Sequence, residues 1–180
     1  MDRRRLLLAC AAAPLAVRAQ ETTITVGLAD LQRLAEAQFP LEQGFQGALD
    51  VTFTNPRLRL VGDQGRLGGL FDLAARDRLF GNRWTGRLSL DAVPRWERQD
   101  RSVRLAQVRV QRFEVDEQVP AIREQIQRLG PGLAELALED FSVYTLPEAQ
   151  QGMLDAMGIE PAEVKVTARG LEIRLAPTKR

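Results

Sequence analysis

Residues 83–92 read RWTGRLSLDA, and two sets of side chains alternate along this stretch. A period of two residues is typical of a β-strand with one buried face and one solvent-exposed face. Antiparallel strands commonly bury a single face, so the stretch predicts a strand of this kind. The inward set is Trp84, Gly86, Leu88, Leu90 and Ala92, and the outward set is Arg83, Thr85, Arg87, Ser89 and Asp91.

Similar alternation continues on both sides of this strand. It covers residues 49–60, 67–75 and 103–115, and short turns at 62–65, 81–82 and 99–100 separate the four stretches. Long strands joined by short turns predict an antiparallel meander with one apolar and one polar face.

The alternation changes phase at three places. The first lies at residues 55–56, and the last strand contains two more, within 105–108 and within 110–113. A β-bulge produces such a change, and bulges bend the strand that contains them. The sequence therefore predicts a strongly curved sheet.

A long helix follows the meander and has an apolar stripe that can cover it. The acidic residues Asp116 and Glu117 suit the positive end of its dipole. Residues 130–132, Gly-Pro-Gly, predict a kink or a break, but the stripe keeps its phase, so both halves are expected on one surface. The stripe consists of Val119, Ile122, Ile126, Leu129, Leu133 and Leu136, at steps of three and four residues.

Shorter elements flank the meander and the long helix. An extended start at 22–26 leads to a short amphipathic helix that Pro40 ends, and a loop with Gly44 and Gly47 follows. After the long helix we expect an extended piece at 141–146 and a hairpin with its turn at 168–170. Between them, a second helix from Pro147 to about Met157 should turn Met153, Leu154 and Met157 inward.

Residues 1–19 have the features of a secretory signal. Arg3-Arg4-Arg5 forms a basic start, an apolar run follows, and Ala19 precedes an expected cleavage site. We therefore expect residues 20–180 to form one domain that acts in the periplasm. Two other routes stay open: the arginine pair resembles a twin-arginine signal, and residues 7–10, LLAC, spell a lipoprotein cleavage site.

The charge balance is nearly neutral. The chain has 25 Lys+Arg and 24 Asp+Glu; residues 1–19 hold four arginines and one aspartate, which leaves 21 basic and 23 acidic residues. This balance argues against a nucleic-acid partner, which favours a basic face. No later apolar run approaches the roughly eighteen residues that span a bilayer, so we expect no transmembrane segment in the mature chain.

The sequence carries no catalytic, cofactor or metal motif, and we predict neither an enzyme nor a cofactor. The chain has no histidine, which excludes histidine triads, and its single cysteine is Cys10. If Cys10 is removed with the leader, the mature chain has no thiol for a nucleophile or a metal site. We interpret the acid pairs 116–117 and 139–140 as helix-end and solvated charges, and residues 62–69 as a turn without P-loop spacing. Trp84 and Trp96 could stack a ligand but more often such residues close the end of a core.

The order of elements resembles a known family. The similar segments are Ile24-Thr25-Val26 leading to Leu31, Phe39-Pro40-Leu41, residues 51–55 (VTFTN), the helix ending near Pro131 and residues 160–164 (EPAEV). Over nearly all of the mature chain they are similar to the YceB-like envelope proteins, a family of unknown function. That family resembles the tubular lipid-binding (TULIP) group, in which a curved antiparallel sheet wraps a long helix and can hold lipid. The resemblance implies lipid binding in the envelope, with a lipid anchor in some members, and no catalytic residues.

Together these observations predict an α+β domain, a long curved antiparallel meander wrapped around a long kinked amphipathic helix. We expect an apolar groove between them that holds a lipid or another hydrophobic small molecule. The alternative is an envelope scaffold with a fully packed core, no ligand and a protein partner. The residues expected to line the groove are Leu88, Leu90, Val103 and Leu105 from the sheet and Ile122, Ile126, Leu129 and Leu133 from the helix.

Overall fold

The structure is a computed structural model that describes residues 22–45, 47–116 and 120–178. At positions 121 and 122 it describes the backbone alone. The predicted signal at 1–19, Glu117, Val119 and the side chain of Ile122 therefore lie outside the described residues.

The described residues form three α-helices and two β-sheets. A short 3-10 turn, Gly62–Gln64, joins β3 to β4. The elements in chain order are β1 (Thr23–Gly27), α1 (Leu28–Gln38), β2 (Leu41–Phe45), β3 (Leu49–Val61), β4 (Arg66–Asp77), β5 (Arg83–Glu97), β6 (Ser102–Asp116), α2 (Pro120–Leu138), β7 (Ser142–Thr145), α3 (Glu148–Met157), β8 (Ile159–Thr167) and β9 (Gly170–Pro177).

The large sheet confirms the predicted fold class. Its strand order is β2-β3-β4-β5-β6-β7, every neighbouring pair is antiparallel, and the sheet curls into a half-barrel with helices packed on it. The four predicted strands form its centre. The expectation of a loop around Gly44 was wrong, because residues 41–45 pair with 49–53 as the edge strand β2.

The small sheet has the order β1-β9-β8 and contains the predicted C-terminal hairpin. The extended start of the chain, β1, pairs with β9, which the sequence did not predict. Val166, Leu171 and Ile173 of the hairpin are buried. The small sheet packs on the large one through β8, which contacts β3 and β5.

β-Bulges occur at all three predicted phase changes. The register of β3 against β4 shifts between Thr54 and Arg57. The register of β5 against β6 shifts twice, opposite residues 110–112 and 106–109 of β6. Asn55 and Gln107 have positive φ angles of 50° and 52°, as expected where a strand departs from regular pairing.

Side chains from the two longer helices bind the backbone groups at these bulges. On α1, the Gln32 amide donates to the Pro56 carbonyl at 2.6 Å and accepts from the Leu58 N–H at 2.8 Å. Glu135 of α2 and Glu139, the residue directly after α2, accept three N–H groups of β6 through their carboxylates, from Val110 at 2.8 Å and from residues 107 and 108 at 3.0 Å each. Polar contacts with the bulges therefore fix where each helix sits on the sheet.

One prediction about the long helix was wrong, and it concerns Leu136 of the apolar stripe. Of the kink or break predicted at 130–132, the structure has no break, because α2 runs from Pro120 to Leu138 with Pro131 inside it. The inward face of its C-terminal part is formed by Ala134 and Leu138, at helical spacing of four, so Leu136 on the opposite side is 70% exposed.

The second helix turns fewer side chains inward than predicted. In α3 only Leu154 is buried, whereas Met153 and Met157 are 60% and 61% exposed. This helix packs mainly on β8, and that narrow contact covers one side chain rather than three.

The sheet and α2 divide into two halves, here called the closed half and the open half. The closed half runs from the Phe71–Leu88 pair toward the turns after β3 and β5, and is covered by α1 and residues 134–138. The open half runs from the Phe53–Leu73 pair toward the turns after β2 and β4, and faces residues 125–133.

A buried ion pair lies in the sheet of the closed half. Arg66 of β4 is paired with Asp91 of β5, and both side chains are more than nine-tenths buried. The same guanidinium donates to the Gln107 carbonyl at 2.6 Å, beside a β6 bulge. One side chain thus connects three neighbouring strands, and every buried polar side-chain atom of the described residues has a hydrogen-bond partner.

Candidate functional site

The open half contains an apolar cleft of about 450 Å³ between the sheet and the N-terminal part of α2. This volume falls within the range of small-molecule sites, about 300–1,000 Å³. Its lining belongs to the apolar faces of the sheet and of α2, which in the closed half pack together as core.

Three neighbouring rows of the strand register form the sheet side of the cleft. Successive residues on one face of a strand are about 6.6–6.8 Å apart, so three rows extend about 13 Å along the strands. The outermost row holds Phe45, Leu49 and Asp77; the next holds Val51, Ala75 and Trp84; the innermost holds Phe53, Leu73, Gly86 and Val115.

The helix side is formed by Ile126, Leu129 and Leu133. Ile126 and Leu133 are half-buried and Leu129 is 55% exposed, because these side chains border the cleft and are not surrounded by protein atoms on all sides. At Gly130 the helix lies so near the sheet that a Cβ atom would overlap the ring of Phe113. Gly130 and Phe113 therefore mark a position at which the helix backbone packs directly on the sheet.

An aromatic group forms the floor of the cleft. The ring of Phe53, which is 1% exposed, lies edge-on to Phe71 with centroids 6.5 Å apart. Phe71 in turn stacks on Phe39 at 5.4 Å, and Phe39 meets Phe141 at 5.9 Å. Offset and edge-to-face pairs add about 0.5–1.5 kcal/mol each to the burial of the rings, so this floor is a rigid boundary of the closed half.

Polar side chains occur only toward the mouth of the cleft. Asp77 and Asn82 flank the β4–β5 turn, and Gln125 lies in the early turns of α2. Thr85, between the middle and innermost rows, belongs to the outward set of β5 and is exposed, so its side chain lies on the other face of the sheet. Deeper in the cleft the side chains are apolar. A ligand in this site would therefore meet polar groups at one end only.

A charged pair lies beside the mouth. The Arg78 guanidinium donates to the Asp50 carboxylate at 2.7 Å. This hydrogen bond lowers the pKa of Asp50 and raises the pKa of Arg78. Both side chains are solvent-accessible, so the pair connects the start of β3 to the β4–β5 turn without burying charge.

The structure separates the predicted groove residues into two sets. Ile126, Leu129 and Leu133 line the cleft. The side chain of Ile122 lies outside the described residues. The four sheet residues lie instead in the packed core of the closed half, with exposed fractions between 0% and 6%: Leu88, Leu90, Val103 and Leu105.

The sheet residues that do line the cleft belong to the same apolar face, at the other end of the strands. Alternation predicts which face is buried but carries no information on which end the helix covers. Trp84, interpreted from sequence as a core-closing residue, lies in the second row of the cleft, whereas Trp96 packs on the closed core.

The acid pair at 139–140 makes contacts within the protein. Glu139 binds the bulge N–H groups, and Asp140 is paired with Arg95 and Arg104. Asp116 ends β6, and its neighbour at 117 lies outside the described residues. Residues 62–69 form the 3-10 turn and the start of β4. Within the described ranges, no group of three or more His, Cys, Asp or Glu side chains could hold a metal ion.

Comparisons with known proteins give a distant similarity to solved structures alone. No family model matches the chain. A comparison with curated proteins also finds no match. Among solved structures, the chain is similar to a crystal structure of lipopolysaccharide binding protein, with a TM-score of 0.33 and 11% identity. The similarity covers 89% of this chain and 41% of that one, so the chain spans less than half of that protein's length.

The resemblance to the YceB-like family stays a prediction after these comparisons. The proposed function rests on the geometry of the cleft. Within the part of the chain that the structure describes, no helix combines the length and apolarity that crossing a membrane requires.

Proposed function

We propose that the protein binds the acyl chain of a lipid, or another elongated apolar molecule, in the open cleft, and that it does so without catalysis. One observation carries this proposal: the cleft of about 450 Å³ is apolar in its depth and polar only at its mouth. An acyl chain with a polar head group is likewise apolar along its length and polar at one end.

The expected source of affinity is burial of apolar surface. Each methylene group that leaves water contributes about 0.8 kcal/mol, before the cost of immobilising the ligand. Contacts of this kind need shape rather than particular polar residues, which agrees with the lack of a chemical motif in the sequence. Selectivity for chain length would come from the depth of the cleft down to Phe53.

We place this activity outside the cytoplasm, in the periplasm, and treat the protein as a non-enzymatic carrier or reservoir. The composition of residues 1–19 supports export. The absence of histidine from the whole chain supports binding rather than general acid-base catalysis by an imidazole. The scaffold alternative requires a fully packed core, and the open cleft favours ligand binding over it.

Native mass spectrometry with organic extraction is the direct test. Protein purified after export should carry a lipid or another apolar molecule at near one-to-one stoichiometry. A protein that has the mass of the polypeptide alone, and that does not take up a fluorescent fatty acid in solution, would contradict the proposal.

Two leucines of α2 provide a matched pair for locating the ligand. Leu129 lines the cleft and is 55% exposed, whereas Leu136 lies outside it and is 70% exposed. Leu129→Trp should fill the cleft with the indole and weaken uptake of the fluorescent fatty acid by about tenfold or more. Leu136→Trp should leave uptake at the parent level.

Ile126→Trp provides a second occlusion in the same cleft and should also weaken uptake. Circular dichroism checks that all three variants are folded. Equal uptake by the Leu129 and Leu136 variants would show that the ligand, if bound, lies elsewhere.

A further inference from the structure

The loop at residues 78–82, here called the tip loop, joins β4 to β5 at the mouth of the cleft. It presents two large apolar side chains to solvent, Leu79 at 73% exposure and Phe80 at 82%. Phe80 also lines the cleft, so the apolar surface continues from the cleft onto the tip loop.

Hydrogen bonds hold the tip loop in this conformation. The Gly81 N–H donates to the Asp77 carbonyl at 3.0 Å, and the Asp77 N–H donates to the Asn82 carbonyl at 2.9 Å. The Leu79 N–H donates to the Asp77 carboxylate at 2.7 Å. The Arg78 N–H donates to the Ala48 carbonyl at 2.9 Å, which joins the tip loop to the β2–β3 turn. The exposed leucine and phenylalanine are therefore presented by an ordered hairpin end.

Arginines flank the apolar pair. Arg76 and Arg83 face one another across the β4–β5 register at the base of the loop, and both are exposed, as is Arg78 within it. Arg78 is paired with the Asp50 carboxylate, and the Asp77 carboxylate accepts from the Leu79 N–H, so Arg76 and Arg83 are the flanking arginines that would meet phosphate groups. In a bilayer, phosphate groups lie outside the acyl chains. The tip loop has the corresponding arrangement, because arginines that can bind phosphate flank an aromatic and an aliphatic side chain that can enter the acyl region.

We propose that the tip loop docks the mouth of the cleft on a phospholipid bilayer. Leu79 and Phe80 would lie among the outer acyl carbons, and the flanking arginines would lie at the phosphate groups. The continuity of Phe80 with the cleft gives an acyl chain an apolar route from the bilayer to the site. This inference rests on the proposed function, because docking positions the cleft for exchange of a membrane lipid.

Co-sedimentation with vesicles of phosphatidylethanolamine and phosphatidylglycerol in equal amounts tests the proposal. Leu79 is the residue to change, because it is exposed on the tip loop but does not line the cleft. We expect Leu79→Asp to weaken vesicle binding by about tenfold or more, since a charge replaces an apolar side chain that enters the bilayer. Uptake of the fluorescent fatty acid in solution should be unchanged.

Leu136→Asp is the matched control, because Leu136 is a leucine of similar exposure, 70%, in the C-terminal part of α2. Its vesicle binding should equal that of the parent. All variants carry the same N-terminal residues, so any binding through that segment contributes equally to each.

The outcomes separate the docking from the ligand site. Loss of vesicle binding in Leu79→Asp with fatty-acid uptake intact supports docking by the tip loop. Equal losses in both aspartate variants, vesicle binding by Leu79→Asp at the parent level, or a parent that does not bind vesicles would each overturn it. A parent that binds vesicles through Leu79 but takes up no fatty acid would keep the docking and overturn the proposed function.

Discussion

The closed and open halves use the same strands but are covered differently. In the closed half, Leu138 of α2 is 1% exposed and packs in the core against the sheet. In the open half, Leu129 and Leu133 of the same helix face an unfilled cleft. A continuous apolar face can therefore form core at one end and a candidate binding surface at the other, depending on where its helix is anchored.

The largest effect should come from breaking the ion pair of the closed half. Arg66→Met leaves Asp91 buried without its cation, and removing one partner of a buried pair typically costs about 3–5 kcal/mol. Urea denaturation measures the free energy of unfolding. The double variant Arg66→Met with Asp91→Leu removes both charges and should recover much of the loss; a single variant as stable as the parent would show that the pair is dispensable.

The two halves of α2 can be compared directly with two leucine truncations. Leu138→Ala should destabilise the protein by about 3 kcal/mol, because it opens a cavity in a packed core. Leu133→Ala, beside the cleft, should cost about 1 kcal/mol and should change uptake of the fluorescent fatty acid. Equal losses of stability in the two variants would remove the distinction between the halves.

The anchoring of α2 on β6 should have an intermediate effect. Glu139→Ala leaves the N–H groups of residues 107 and 108 without their acceptor, and we expect a loss of about 1–2 kcal/mol. Hydrogen exchange at Val108 should accelerate. Glu124→Ala, an exposed acid earlier in α2, serves as the control and should change stability by less than about 0.5 kcal/mol.

The smallest effect should come from two glycines of α2. Gly132 has open space around its Cα, so Gly132→Ala should stabilise the protein by about 1 kcal/mol through helix propensity. Gly130→Ala has the same gain but pushes on the ring of Phe113, and we expect a net loss of about 1 kcal/mol and a smaller cleft. Equal stabilisation by both substitutions would show that the helix does not close on the sheet at Gly130.

The strands and their bulges were predictable because alternation is a local pattern. Each phase change at 55–56, 105–108 and 110–113 corresponds to a register shift in the sheet. The edge strand β2 was missed because Gly44 in the sequence LEQGF favours a loop, and its pairing with β3 overrides that preference.

The position of the cleft was not predictable from the same pattern. Leu88 and Leu129 both belong to well-defined apolar sets, yet one is buried in the core and the other faces the cleft. What separates them is the binding of Glu135 and Glu139 to the β6 bulges, a contact between residues more than twenty positions apart. Sequence periodicity does not report contacts at that distance.

The bulges have a consequence for how such a protein can change its ligand. Gln32, Glu135 and Glu139 hold the helices at fixed points of β3 and β6, and the neighbouring strands β4 and β5 extend beyond those points to the tip loop. Adding or removing two residues in each arm of a terminal hairpin preserves which side chains face inward. The length of the molecule that the cleft accepts could therefore change during evolution through the free ends of the hairpins, while the contacts between the helices and the bulges stay the same.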